Sequence, residues 1–116
     1  MSGTVLFREE GDEKWYADLD LGDDHYLQFY GWTDPAGIAH ERVGAIVWHR
    51  LPAAPDGWCG GGILFSTAPA GMVGDRWTVE SWEPLTLSPS LASNGAPPAY
   101  TCSDHGFIRE GRWVRA

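Results

Sequence analysis

Residues 76–82 read Arg76-Trp77-Thr78-Val79-Glu80-Ser81-Trp82, and this run decides the fold class. Successive side chains of an extended chain point to opposite faces, so Trp77, Val79 and Ser81 share one face and Thr78, Glu80 and Trp82 the other. Aromatic and β-branched residues in strict alternation are what a half-buried strand needs. Working outward, His25-Tyr26-Leu27-Gln28-Phe29-Tyr30 alternates in the same way and is expected to pair with the preceding Lys14–Asp20 segment across a turn at Gly22-Asp23-Asp24. Further strands are expected at Thr4–Phe7, at His40–Trp48 ending on His49, and at Gly62–Phe65. Breaks fall at Thr33–Gly37, in the Arg50–Trp58 loop with its Pro52 and Pro55-Asp56-Gly57, at Ala68–Gly71, and at Ser93–Pro98. Leu85–Leu91 is read either as extended or as holding one helical turn started by Ser88 with Pro89 at its first position. No segment keeps a 3.6-residue apolar period over three turns. The expected fold is mostly β: a small antiparallel domain with little helix.

With 116 residues, the chain is expected to form one domain spanning 1–116. A domain this size buries somewhat under ~70% of its unfolded surface and has little margin. Seven tryptophans help, because each large aromatic removes roughly 150–250 Å² from water when buried. Fifteen glycines and eight prolines supply the frequent turns of a β fold.

The net charge is −8 and unevenly spread. Residues 1–35, the expected acidic N-terminal strands, hold nine acids against two bases, while Arg109, Arg112 and Arg115 close the chain. A direct nucleic-acid binder shows a basic stripe, and this chain has none, so direct nucleic-acid binding is not expected. An acidic, solvated surface accounts for the N-terminal charge. A second reading is an acidic mimic of nucleic acid that inhibits a DNA-binding protein.

Arg8-Glu9-Glu10 interrupts any apolar leader, and the longest apolar runs fall far short of the ~20 residues of a membrane span. A cytoplasmic location is expected, with reduced cysteines. There, cysteines with histidines nearby read as metal ligands before they read as a disulfide. Two clusters stand out. His49 precedes Cys59 with nine residues between, and Cys102-Ser103-Asp104-His105 spaces its outer residues by two. Zinc takes four thiolate and imidazole ligands in a tetrahedron, and a closed set of four is structural. The expected site is therefore zinc held by His49, Cys59, Cys102 and His105 in the 44–116 part, with His40 the rival to His49. A zinc-ribbon-like knuckle would turn at Gly106 in a left-handed conformation that glycine adopts cheaply, then run into a hairpin at Glu110-Gly111. Gly60-Gly61-Gly62 reads as a flexible strand entry beside Cys59. His25, among acids, reads as a surface residue.

The run Trp77–Leu91, with its Leu85-Thr-Leu-Ser-Pro-Ser-Leu91 phrase, and Cys102-Ser-Asp-His-Gly-Phe-Ile-Arg-Glu-Gly-Arg-Trp113 together resemble an uncharacterised family of actinobacteria and their phages, the domain of unknown function 6527. The resemblance covers residues 44–115 and is strongest over 76–115. It implies a zinc-binding fold and a phage or actinobacterial source, and a cytoplasmic life in the host if phage-encoded. Some bacterial relatives lie beside ubiquitin-like conjugation genes, which implies a partner role. The family's cysteine soon after Leu91 is replaced here by Ala92–Tyr100, leaving Cys102 alone before His105.

No catalytic constellation stands out. A zinc hydrolase needs a base, and although Asp104 lies between two expected ligands and Glu80 on a nearby strand, neither sits in a helix motif such as H-E-x-x-H. Ser88 and Ser90 lack a nucleophile-elbow pattern, and the triglycine has no following Lys-Ser or Lys-Thr for a phosphate loop. The expected function is a small, zinc-stabilised accessory protein that acts by binding a protein partner and is not an enzyme. A zinc-dependent hydrolase and the acidic mimic are the alternatives. Trp32, Trp58 and Trp82 are candidate exposed anchors for a partner.

Overall fold

In the computed structural model, residues 3–52, 54, 56–94 and 103–116 are described. They form eleven strands and no helix, as the alternating patterns require. The strands are β1 (Val5–Glu10), β2 (Glu13–Ala17), β3 (Leu19–Gly22), β4 (His25–Thr33), β5 (Ala39–Arg50), β6 (Trp58–Phe65), β7 (Arg76–Trp82), β8 (Leu85–Ser88), β9 (Leu91–Asn94), β10 (Ser103–Arg109) and β11 (Arg112–Arg115). A central six-stranded sheet runs β3-β4-β5-β6-β7-β8, antiparallel except for the parallel β6–β7 pair. A β1–β2 hairpin and a three-stranded β11-β10-β9 sheet complete the chain. Among the described residues, no helix is long and apolar enough to cross a membrane.

The two faces of the central sheet are packed differently. Leu27, Val47, Ala45, Ile63 and Phe65 project to one face and bury against Leu91, Ile108 and Trp113 of the C-terminal sheet, joined by Leu85 and Leu87 of β8. This is sheet-on-sheet packing, with each fully buried aliphatic or Phe side chain contributing about 1.5–3 kcal/mol. On the other face, Phe7 of β1 meets Tyr26, Trp48 and Trp58 at ring separations of 5.5, 6.2 and 5.2 Å. The N-terminal hairpin is thereby held by aromatic contacts to three strands.

Several expectations need correction. Strand β6 begins at Trp58, so the triglycine lies inside the sheet and is not a flexible entry. A Cβ at Gly60 would come within 2.7 Å of the Trp48 ring, so glycine there makes room for the indole. The knuckle expected around Gly106 is not formed: residues 103–109 are one strand, and Gly106 pairs with Leu91 and Arg115. A Cβ on Gly106 would strike Trp113 and the Val114 carbonyl, which is the physical need for glycine there. The segment after Leu85 is extended, with no helical turn. Trp58 is buried, whereas Trp82 is partly exposed. The C-terminal hairpin does form, with Glu110 and Gly111 both at positive φ.

Candidate metal centre

The Gly22-Asp23-Asp24-His25 turn places Asp23 and Asp24 at φ 52° and 57°, the mirror-image turn whose twist suits a two-residue hairpin. That turn aims the Asp23 carbonyl back at His25, whose Nδ1 lies 2.6 Å from it. A carbonyl only accepts, so Nδ1 carries the proton and Nε2 is left to face outward. Nε2 lies 2.6 Å from Asp104 Oδ2 on β10. With the ring neutral, both atoms are acceptors, and such a contact holds only with a cation, a proton or a metal ion, between them.

His49, opposite His25 on β5, completes the cluster. Its Nδ1 lies 3.5 Å from the same Asp104 oxygen, and it has no hydrogen-bond partner among the described residues. His49 is only 7% exposed. Burial holds its pKa below the ordinary value; the Asp104 charge opposes this, and His25 reinforces it. Burial thus favours the neutral ring, which carries a lone pair on one of its two nitrogens. The ligand atoms of His25, His49 and Asp104 lie within 4.8 Å of one another and could hold a metal ion. The Nδ1–carbonyl bond of His25 is the kind of outer contact that orients a metal-bound imidazole. Trp113 stacks on His25 at 4.2 Å and 11°, and His49 lies parallel to it at 5.4 Å.

The structure brings together part of the expected set. His49 and Cys59 are cross-strand partners, and Cys59 is buried. His105 follows Asp104 in the strand, so its side chain turns to the opposite face. It is exposed and bonds Ser90 Oγ at 2.7 Å, outside the cluster. Cys102 lies outside the described residues. His40 pairs with Asp34 at 3.0 Å and lies nine residues from His49 along β5, roughly 30 Å in an extended strand.

The two members missed in the sequence are His25 and Asp104. His25 is buried, not a surface residue, because the core face of β4 continues through it from Leu27. The alternation of His25 with Leu27 was the signal that could have found it. Asp104 carried no such signal, since its partners lie 79 and 55 positions away.

The fold and cluster define a small all-β protein with a candidate metal centre where its central and C-terminal sheets meet. Compared with family models, with characterised proteins and with solved structures, the chain matches none.

Proposed function

We propose that this chain is a small binding protein whose two main sheets are fastened together by a divalent transition metal, zinc foremost, held by His25, His49 and Asp104. The observation that carries this reading is the convergence of three ligand atoms, one of them the unpartnered, buried His49 Nδ1. Two imidazoles and a carboxylate suit zinc far better than magnesium or calcium. The ligands come from β4, β5 and β10, so the ion ties the C-terminal sheet to the centre of the molecule. All three side chains are at most 14% exposed, which favours a structural ion over one open to substrate.

Binding of a protein partner then falls to the surface, where Trp82, Tyr16, Leu6 and Ile38 stand partly exposed. Aromatic residues are the usual anchors of such contacts. A phage or actinobacterial accessory role, the one implied by the resemblance to the domain of unknown function 6527, is part of this proposal. Elemental analysis of the purified chain, with melting recorded before and after chelator, tests it. About one zinc per chain and a melting point lowered by 10 °C or more on chelation are expected, since a structural ion's binding energy is also folding energy. A metal-free protein whose melting ignores both chelator and added zinc would refute it.

A further inference from the structure

At the end of β4 and β5 remote from the metal centre, the pairing slips: Tyr30 faces Gly44 but Trp32 faces His40. An irregularity of this kind bends a strand and re-aims the side chains beside it. A cavity of about 380 Å³ opens there, between Trp32 and Thr33 of β4 and Ala39, His40 and Glu41 of β5. Its aromatic wall is held from behind, because Trp32 packs with Tyr30 and Met72 on a small core of Val43, Leu64 and Ala68. The His40 ring lies 6.0 Å from the indole at 25°. His40 Nε2 donates to one oxygen of Asp34 at 3.0 Å, and the other oxygen accepts from the Ala36 and Ile38 amides. A neutral His40 then presents Nδ1 as an acceptor. Glu41 is exposed and makes no ion pair among the described residues. No lysine or arginine lines the cavity; the neighbouring Arg42 sits instead over the Phe29 ring at 4.4 Å. An aromatic face beside an unpaired carboxylate attracts a cation, and the chain's net charge of −8 draws one in.

We propose that this cavity receives an arginine side chain of the protein partner, its guanidinium stacked on Trp32 and paired with the Glu41 carboxylate. The assignment rests on the partner-binding reading above and is independent of the metal. A guanidinium is planar and always charged, stacks on aromatic faces and meets a carboxylate through two parallel bonds, which an ammonium does not. The cavity volume is at the small end for ligand sites and gives room for one long side chain. Ile38, 59% exposed on the turn that joins the two strands, offers the same partner an apolar contact.

Nitrogen–proton NMR spectra of the full chain, titrated with the capped peptide acetyl-Gly-Arg-Gly-amide, test this. The Trp32 indole signal and the His40 and Glu41 amides are expected to move, with a dissociation constant on the order of 1 mM. The matching peptide with citrulline for arginine keeps the shape without the charge. It is expected to bind at least about five-fold more weakly. A similar loss is expected for the arginine peptide on Glu41→Gln, whose spectrum should otherwise superimpose on that of the wild type. Equal binding of the citrulline peptide, or unchanged affinity in Glu41→Gln, overturns the assignment. So does a Trp32 signal that stays still at about 10 mM arginine peptide. If signals move only around Trp82, this site is overturned and the partner-binding reading stands. Free arginine that moves Trp32 where the capped peptide does not also overturns it, by making the occupant a small molecule.

Discussion

At the scale of single residues, Asp104 carries the most. One carboxylate oxygen faces two histidine nitrogens at 2.6 and 3.5 Å. Asp104→Ala strips His25 Nε2 of its partner, and a buried polar group left without one costs about 1–3 kcal/mol. A shift of the urea midpoint by that amount is expected in metal-free protein. Asp104→Asn separates hydrogen bonding from metal binding. Its amide can donate to His25 Nε2, so stability in chelator should largely recover, while less than one zinc per chain survives dialysis. Equal zinc content in Asp104→Asn and wild type would count against a metal-ligating carboxylate. A second residue-scale case is Asp34, whose carboxylate accepts from the Ala36 and Ile38 amides and faces His40. The His40 contact first, then the Ile38 amide, hold its pKa below the usual carboxylate value. A depressed carboxylate stabilises the fold above its unfolded pKa and loses that contribution as pH falls through the folded one. Carboxyl titration by NMR should show Asp34 below the ordinary value, and moving back up in His40→Ala.

Elements give sharper contrasts. Gly60 and Gly62 sit two apart on β6, both in the tract that reads as a flexible strand entry in the sequence. A Cβ at Gly60 would overlap the Trp48 ring, which is fixed by its indole bond to Gln28 at 2.8 Å and by Phe7. A Cβ at Gly62 meets nothing within 4 Å. Gly60→Ala is therefore expected to cost about 1–3 kcal/mol, as overpacking does. Gly62→Ala should be neutral, or stabilising by up to about 1 kcal/mol through the unfolded chain. Equal melting points for the two variants would refute this reading of the strand. The loop between β6 and β7 depends on Arg76, whose guanidinium donates to the carbonyls of Ala68, Pro69 and Met72. A planar five-donor fork does this where an ammonium cannot. Arg76→Ala is expected to lower stability by about 2–3 kcal/mol, with Arg76→Lys restoring less than half, both read from denaturant midpoints. Strands such as β4 and β7 were legible because alternation is a local property. The start of β6 was not, because glycine carries no pattern and only the neighbouring Trp48 explains it.

For the whole molecule, the proposed metal centre would fasten sheets that also meet through apolar contacts, the Arg115–Asp23 ion pair and the bonds of Gly111 N to Leu85 O and Glu110 N to Thr86 Oγ1. Chelation should therefore loosen β10 and β11 before the centre of the large sheet. Amide hydrogen exchange is expected to speed up at Phe107, Ile108 and Trp113 upon metal removal, with Ala45 and Val47 changing far less. Uniform acceleration across both sheets would mean that the ion governs global stability without fastening one sheet to the other. By itself, the sequence determined the β class, the positions of most turns, the C-terminal hairpin and His49 as one candidate ligand, since periodicity and turn chemistry act between near neighbours. Tertiary structure alone decided which distant residues join them. Between Tyr30 and Trp32, β4 advances two residues while β5 advances four, from His40 to Gly44. Without that irregularity, His25 would face Val47 and not His49. Register of this kind is fixed by packing against both faces of a sheet, and no stretch of β4 or β5 read alone contains it.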